Sequence, residues 1–142
     1  MIKRIIFPGL FILIILIGCS KNKNKEFSST LFLNDTVQIS PIETLYNYNE
    51  NISFSLDSII NDSRCPSNVT CIWEGNAEVK FRFSLNNIET NFTLHTNGGF
   101  NFNTDTIIDN YKIELINLYP YPEDPGIIPQ HDYVTEILIT NN

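Results

Sequence analysis

The chain has 142 residues, with 16 acidic and nine basic side chains, a formal net charge of −7 and 42% hydrophobic residues. This length and hydrophobic content suit one domain with its own core. From Glu26 onward, four basic residues oppose all sixteen acidic ones, which gives −12. Because such a surface repels phosphate backbones, the charge excludes nucleic acid as a ligand and favours a cationic protein partner.

The first residues have a pattern typical of a bacterial export signal. Lys3 and Arg4 precede an apolar segment, 5–17, which is shorter than the roughly 20 residues that span a bilayer. The sequence Leu16-Ile17-Gly18-Cys19 resembles the lipobox of bacterial lipoproteins, which implies diacylglyceryl transfer to Cys19 and cleavage before it. We therefore predict a lipoprotein signal peptide over 1–18. The alternative is an ordinary cleaved signal, or an uncleaved anchor with a chance cysteine.

A polar segment follows the predicted lipid site. Residues 20–25 alternate lysine with asparagine after Ser20, so we predict a flexible tether over 19–28 and a single β domain over 29–142. The lysines of the tether are interpreted either as contacts to anionic lipid head groups or as an aid to solubility. In a cell with two membranes, Ser20 and the basic tether predict an outer-membrane anchor with the domain facing the periplasm.

From Thr30 onward, apolar and polar residues alternate with a period of two, which is typical of β-strands. The clearest strand is 77–85, and Asn86-Asn87 then predicts a type I′ hairpin turn because asparagine tolerates a positive φ. A second strand, 88–95, completes this hairpin. Residues 119–126 contain three prolines, so this segment predicts a long, stiff loop outside any ladder.

Short apolar segments separated by turn residues predict about seven or eight strands and no helix. They lie near Thr30, Val37, Ile52, 71–85, Ile88, Phe100, Lys112 and Val134. This spacing favours an all-β fold, either an antiparallel β-sandwich or a small barrel.

Three cysteines are present, and lipidation of Cys19 leaves Cys65 and Cys71 with only each other to pair with. An oxidising compartment favours a disulfide between them. The bridge closes a small loop, so we expect a stabilisation of about 2 kcal/mol and a larger effect on the shape of the loop. Reduced or metal-bound thiols are the alternative, although zinc requires four ligands and no histidine lies nearby in sequence.

The segment around these cysteines is the densest feature of the chain. It resembles a family of small bacterial lipoproteins and secreted proteins that carry an Asp-Ser-Arg-Cys-Pro run, a second cysteine and a Trp-x-Gly. The matching residues here are 62–66, Cys71, Trp73 and Gly75. A looser similarity extends to the Tyr-Pro-Tyr-Pro run at 119–122 and to the strand near Tyr133. The resemblance implies no particular activity.

Two interpretations of this segment remain open. In the first, Trp73 packs over the disulfide and Arg64 pairs with Asp62 or Glu74, so that the loop is braced against the sheet. In the second, Arg64, Trp73 and Glu74 form a binding site, since arginine and tryptophan are enriched at interface hot spots and a disulfide loop is preorganised. We favour bracing, with Trp73 largely buried and Arg64 at least half paired.

The sequence offers little for catalysis. His95 and His131 are the only histidines, and we place His95 on the exposed face of its strand. No Gly-x-Ser-x-Gly motif and no free thiol supplies a nucleophile. Asp105 and Asp109 suit at most a loose calcium site without EF-hand spacing. We therefore predict no catalytic residues, no metal site and no cofactor.

The sequence as a whole predicts a membrane-anchored cell-envelope lipoprotein with a non-enzymatic binding or structural β domain. The main alternative is an inhibitor of a basic secreted enzyme, such as a lysozyme or a protease, because the acidic charge would speed encounter with it. A structural subunit of a larger envelope complex is a third possibility, and it predicts an exposed apolar patch.

Overall fold

In a computed structural model, residues 30–99 and 101–141 are described. This part of the chain forms eight strands and one short 3₁₀ helix, Gln130–Asp132. The strands are β1 Thr36–Ile39, β2 Thr44–Asn47, β3 Ile52–Asp62, β4 Ala77–Leu85, β5 Ile88–His95, β6 Asp105–Ile108, β7 Tyr111–Tyr119 and β8 Val134–Asn141.

The predicted signal peptide (1–18), the lipidation site Cys19 and the tether (19–28) lie outside the described residues. Within the described ranges, the chain contains no helix of sufficient length and apolar character to cross a membrane.

The strands form two antiparallel sheets of four, in the orders β1-β8-β7-β6 and β2-β3-β4-β5. The prediction of an all-β sandwich is confirmed. Throughout the described residues the two sheets stay separate, so the alternative of a small closed barrel is wrong.

The core lies between the two sheets and is filled by the apolar face of each strand. In β4, Val79, Phe81 and Phe83 are fully buried, as the alternating pattern predicts. The ring of Phe54 on β3 lies 5.3 Å from that of Phe81, centroid to centroid. Phe83 meets Tyr111 of the other sheet at 5.9 Å, so aromatic side chains join the two layers.

The predicted turn between β4 and β5 is confirmed. Asn86 and Asn87 have φ angles of 52° and 66°, the two positive values that a type I′ turn requires.

The burial pattern of strand β5 is less regular than the alternation of its sequence suggests. Leu94 is buried but Ile88 is exposed, because β5 is an edge strand and its first residues extend beyond the core.

Four strand assignments differ from the sequence prediction. Strand β2 was missed, and β4 begins at Ala77 instead of residue 71. Thr30 makes only an isolated bridge to Tyr46. The strand expected near residue 100 is instead β6, Asp105–Ile108. These differences fall where polar and glycine-containing segments obscure the alternating pattern.

The longest strand, β3, is only partly covered on its outer edge. Strand β2 pairs with the first four residues of β3 and no more. Beyond them, the side-chain amide of Gln130 pairs with Ile59, accepting from its N–H at 2.9 Å and donating to its carbonyl at 2.8 Å. Gln130 thus satisfies an open strand edge as a neighbouring peptide group would, and it holds the segment before β8 against β3.

Candidate functional site

Two loops meet at one end of the sandwich. The disulfide loop, 63–76, connects β3 to β4, and the proline-rich loop, 120–129, follows β7. The predicted disulfide between Cys65 and Cys71 is present, with the two Cα atoms 6.0 Å apart. The proline-rich segment contains no strand from residue 120 to 129, as predicted, but Tyr119, which the prediction placed outside any ladder, is the last residue of β7 and pairs with Val134.

The base of the disulfide loop continues the β3–β4 hairpin. The backbone N–H of Ser63 donates to the carbonyl of Asn76, and that of Cys65 donates to the carbonyl of Glu74, both at 2.8 Å. Between these bonds, Gly75 has a φ of +74° and its backbone approaches Ser63 closely. A Cβ atom at residue 75 would lie 1.9 Å from the Ser63 carbonyl oxygen, so the loop requires glycine there.

A second set of hydrogen bonds joins the loop base to the turn after β5. The side-chain oxygen of Asn76 accepts from the Thr96 hydroxyl at 3.2 Å and from the Asn97 backbone N–H at 3.1 Å. In return, the side-chain amide of Asn97 donates to the carbonyl of Gly75. The base of the disulfide loop is therefore attached to the sheet on two sides.

Arg64 is the central brace of this region. Its Nε and Nη2 atoms donate to the two carboxylate oxygens of Asp62 at 2.9 and 2.6 Å. This bidentate arrangement is the strongest geometry for an arginine–carboxylate pair. Arg64 is only 6% exposed, and its backbone N–H also donates to Asp62.

The same guanidinium group reaches the proline-rich loop. It donates to the carbonyl of Leu118 at 2.6 Å and to that of Pro120 at 2.9 Å. The guanidinium carbon lies 5.1 Å from the centre of the Tyr121 ring, which is within range of a cation–π contact. Arg64 thus braces the fold, as the first interpretation predicted, and its side chain is buried.

Asp62 and Tyr133 have shifted pKa values because of this pairing. Burial raises the pKa of Asp62, but the hydrogen bonds and charge of Arg64 outweigh it and hold the pKa below its usual value. The hydroxyl of Tyr133 donates to Asp62 at 3.1 Å. Burial and the neighbouring carboxylate raise the pKa of Tyr133 to about 12. At neutral pH the ion pair is therefore fully charged and Tyr133 is protonated.

Further hydrogen bonds connect the two loops directly. The backbone N–H groups of Ser67 and Asn68 donate to the carbonyls of Pro122 and Glu123, each at 3.0 Å. The hydroxyl of Tyr121 donates to the carbonyl of Cys65 at 2.9 Å. We call this joined unit, residues 63–76 and 120–129, the loop platform. Its backbone is held by the disulfide, the Arg64 contacts and the bonds between the loops.

Trp73 does not brace the fold. Its side chain is 64% exposed, so the hypothesis that it is largely buried over the disulfide is wrong. Ile72 beside it is fully exposed, and Glu74 is exposed as well. The reason is geometric, since the backbone bonds of residues 74 and 76 return the chain to the sheet and leave 72–74 on the outside of the loop. Glu74 contributes its carbonyl to the loop base, whereas Arg64 pairs with Asp62.

The exposed surface of the loop platform combines apolar and acidic side chains. Five large apolar side chains are exposed there: Val69, Ile72, Trp73, Tyr121 and Ile127. Three exposed carboxylates accompany them: Glu74, Glu123 and Asp124. A cleft of about 350 Å³ lies between the platform and β3, with Asp62, Arg64 and Tyr133 on its polar side, and this volume is in the range of ligand pockets.

The basic side chains in the described part of the chain are paired with carboxylates. Within residues 30–99 and 101–141, each lysine and arginine forms an ion pair: Arg64 with Asp62, Lys80 with Asp57, Arg82 with Asp57 and Glu89, and Lys112 with Asp105 and Glu114. Hydrogen bonds from Lys80 and Arg82 lower the pKa of Asp57. The carboxylates of the loop platform thus have no lysine or arginine partner in this part of the chain.

No protein-family model matches this chain, and comparisons with curated proteins and with solved structures find no match. The geometry and chemistry of the site therefore carry the functional argument.

The two histidines occupy different environments. His95 is half-buried instead of exposed as predicted, because its ring packs against Phe102 with 4.8 Å between centroids. Its Nδ1 atom is buried and has no hydrogen-bond partner among the described residues. His131 is exposed in the 3₁₀ helix and lies 3.4 Å from the carboxylate of Asp132.

Several residues that build the loop platform escaped the sequence analysis. Asn76 and Tyr121 of the platform, and Gln130 just after it, each form a hydrogen bond with a backbone group far away along the chain, and no local sequence motif indicates such contacts. Gly75, by contrast, was indicated by the sequence as part of the Trp-x-Gly run.

Proposed function

We propose that this protein is a lipid-anchored envelope protein whose loop platform binds a cationic protein outside the cytoplasm. One observation carries the proposal: Trp73 and Ile72 are exposed on a loop whose backbone is held in place on both sides. The anchoring part of the proposal rests on the sequence around Cys19.

The loop platform has the properties of a preformed binding surface. The exposed side chains of Trp73 and Ile72 provide apolar surface that a partner can bury. The disulfide and the Arg64 contacts hold the loop before any partner arrives, so that less entropy is lost on binding. Tryptophan is also the residue type most enriched at interface hot spots.

The charge of the loop platform points to the chemistry of the partner. Glu74, Glu123 and Asp124 are exposed on the same two loops as the apolar side chains and have no lysine or arginine partner in the described part of the chain. A partner with lysine or arginine side chains would gain complementary contacts and faster encounter. Asp124 and Ile127 line the cleft beside the platform, where a lysine stem would lie against an apolar wall with its ammonium near a carboxylate.

The second candidate is inhibition of a basic secreted enzyme, such as a lysozyme or a protease. It is favoured by the exposure of the adjacent side chains Ile72 and Trp73 on the disulfide loop, which could enter a concave active site. In both candidates the domain acts by binding and supplies no catalytic residue.

Site-specific photo-crosslinking tests the proposal in the full-length protein. A photoreactive amino acid replaces Ile72, and in a matched variant it replaces Ile107, a 63%-exposed isoleucine of β6. The replaced positions lie at opposite ends of the sandwich, since β6 ends beside Tyr111, which contacts Glu50 in the β2–β3 turn. Crosslinked partners are identified by mass spectrometry.

We expect one basic extracytoplasmic protein to crosslink through position 72 and not through position 107. Its capture should fall as the salt concentration rises, because charge complementarity is screened. Inhibition of that protein, if it is an enzyme, would select the second candidate. Equal crosslinking at both positions, or an acidic partner, would contradict the proposal.

A further inference from the structure

A second cleft lies at the end of the sandwich opposite the loop platform. It has a volume of about 360 Å³, and its lining includes Tyr46, Tyr48, Ser53, Ser84, Asn86 and Asn87. These residues come from β2, the start of β3, the end of β4 and the two turns beside them. The cleft is separated from the loop platform by most of the length of β3, about 30 Å at 3.3 Å per residue.

The cleft exists because short side chains stand between longer ones on the outer face of one sheet. Tyr46 of β2 is paired with Ser53 of β3, and Ser53 is paired with Ser84 of β4. Side chains of directly paired residues lie on the same face of a sheet. The two serines form a low floor, with tyrosines on one side and the β4–β5 turn on the other.

One wall of the cleft is aromatic. The rings of Tyr46 and Tyr48 are stacked, with 5.8 Å between centroids and 11° between planes. Tyr48 is 82% exposed, so its ring contributes little to the core. Neither hydroxyl forms a hydrogen bond within the described part of the chain. Two parallel, exposed rings present a flat apolar surface with polar atoms at its edge.

The opposite side of the cleft carries amide side chains on a well-defined backbone. Asn51, Asn86 and Asn87 all have positive φ angles, and the backbone N–H of Asn86 donates to the carbonyl of Asn51 at 3.0 Å. The side chains of these asparagines form no hydrogen bond with another described residue. Each amide can donate and accept at once, which matches a pair of neighbouring hydroxyl groups.

No charged side chain lines the cleft among the described residues. Two acidic residues lie near it in the chain. The carboxylate of Glu50 accepts from the Tyr111 hydroxyl of the other sheet at 3.1 Å, and that of Glu89, which is paired with Ser84, lies 3.7 Å from Nε of Arg82. The ligand suited to this lining is therefore uncharged, has one apolar flat face and carries several hydroxyl groups.

We propose that this cleft binds a neutral oligosaccharide. One sugar ring lies with its C–H face against Tyr46 and Tyr48, where apolar contact replaces water on both surfaces. The hydroxyl groups of the sugar bond to the amides of Asn86 and Asn87 and to the hydroxyls of Ser53 and Ser84. A domain built in this way holds a glycan at one end and leaves the loop platform free at the other.

Calorimetric titration of the full-length protein in detergent tests this site. Three probes are used: an N-acetylglucosamine tetramer, cellotetraose and a tetramer of galacturonic acid. Tyr48→Ala removes the exposed half of the aromatic wall, and Ser84→Leu fills the floor of the cleft. Tyr119→Ala is the matched control, because Tyr119 is exposed to a similar degree as Tyr46 but lies at the other end of the sandwich. Circular dichroism checks that each variant is folded.

We expect at least one neutral tetramer to bind, and both cleft variants to weaken the affinity about tenfold or more, which corresponds to about 1.4 kcal/mol. The Tyr119→Ala control should bind normally. Binding of the N-acetylated probe alone would assign the site to amino-sugar glycans, and binding of cellotetraose alone or of both would assign it to the shared sugar ring. Failure of both neutral probes to bind, tight binding of the galacturonic acid tetramer, or unchanged affinity in a folded Tyr48→Ala variant would overturn the proposal.

Discussion

Arg64 and Asp62 form a bidentate ion pair at the base of the loop platform, with Nε–Oδ1 and Nη2–Oδ2 distances of 2.9 and 2.6 Å. The pair is almost entirely screened from water, and two further donors of Arg64 are used by the carbonyls of Leu118 and Pro120. The residue that looked most like a charged binding anchor is therefore the residue that holds the loops together. Trp73 was expected to pack against the disulfide, but its side chain is exposed and can contact a partner.

Single substitutions at these two positions should separate bracing from binding. Arg64→Ala leaves a buried carboxylate without its partner, and we expect it to lower the free energy of unfolding by about 3–5 kcal/mol. Trp73→Ala removes an exposed side chain, so we expect a change within about 0.5 kcal/mol. Thermal and urea denaturation measure both values. A Trp73→Ala loss as large as that of Arg64→Ala would show that Trp73 packs against the fold after all.

The Asp62–Arg64 pair should also make stability depend on acid pH. The pKa of Asp62 is lowered in the folded protein from the ordinary value of 3.8. Its contribution to stability is therefore fully present above pH 3.8 and is lost as the pH falls through the lowered folded value. Urea denaturation as a function of pH should show this loss in the parent protein. The Asp62→Asn variant, less stable at neutral pH, should show a shallower decline below pH 4, and parallel curves would count against the pairing.

The disulfide should matter more for the shape of the loop than for folding. Because the bridge closes a short loop, replacing both cysteines with alanine should cost only about 2 kcal/mol. The β-sheet circular dichroism spectrum should persist, since residues 65 and 71 lie outside the strands. Crosslinking through position 72 should weaken, because the loop is no longer preorganised. Global unfolding of the double variant at room temperature is the opposite result.

The lipid anchor is tested independently of the domain. Cys19→Ala removes the thiol that receives the lipid in the predicted lipobox, so incorporation of a fatty-acid analogue should be abolished and the precursor should remain uncleaved. Metabolic labelling followed by gel electrophoresis measures both effects. The Cys65→Ala variant controls for labelling at other cysteines and should incorporate lipid normally. Label retained on Cys19→Ala would refute the lipoprotein prediction.

The sequence predicts features of this fold that depend on local chemistry. Alternation in 77–85 identified β4 and its buried face, and the positive φ tolerated by asparagine identified the turn at Asn86-Asn87. The disulfide followed from counting the remaining thiols. These predictions are reliable because neighbouring residues carry all the information that they need.

The loop platform could not be predicted in the same way. It depends on contacts between residues far apart in the chain, such as Arg64 with Leu118 and Tyr121 with Cys65. The exposure of Trp73 was also hidden, since the same side chain serves equally well in a core and at an interface. Its position is decided by Gly75, whose left-handed backbone returns the chain to the sheet.

Fluorescence quenching of Trp73 tests the central claim most directly, since Trp73 is the only tryptophan in the chain. Acrylamide is the suitable quencher because it is uncharged and is not repelled by the acidic surface. We predict efficient quenching in the free protein and strong protection when the basic partner captured through position 72 is added. Trp73 already shielded in the free protein, or equally quenched with and without that partner, would contradict the claim that this loop is an exposed, preformed binding surface.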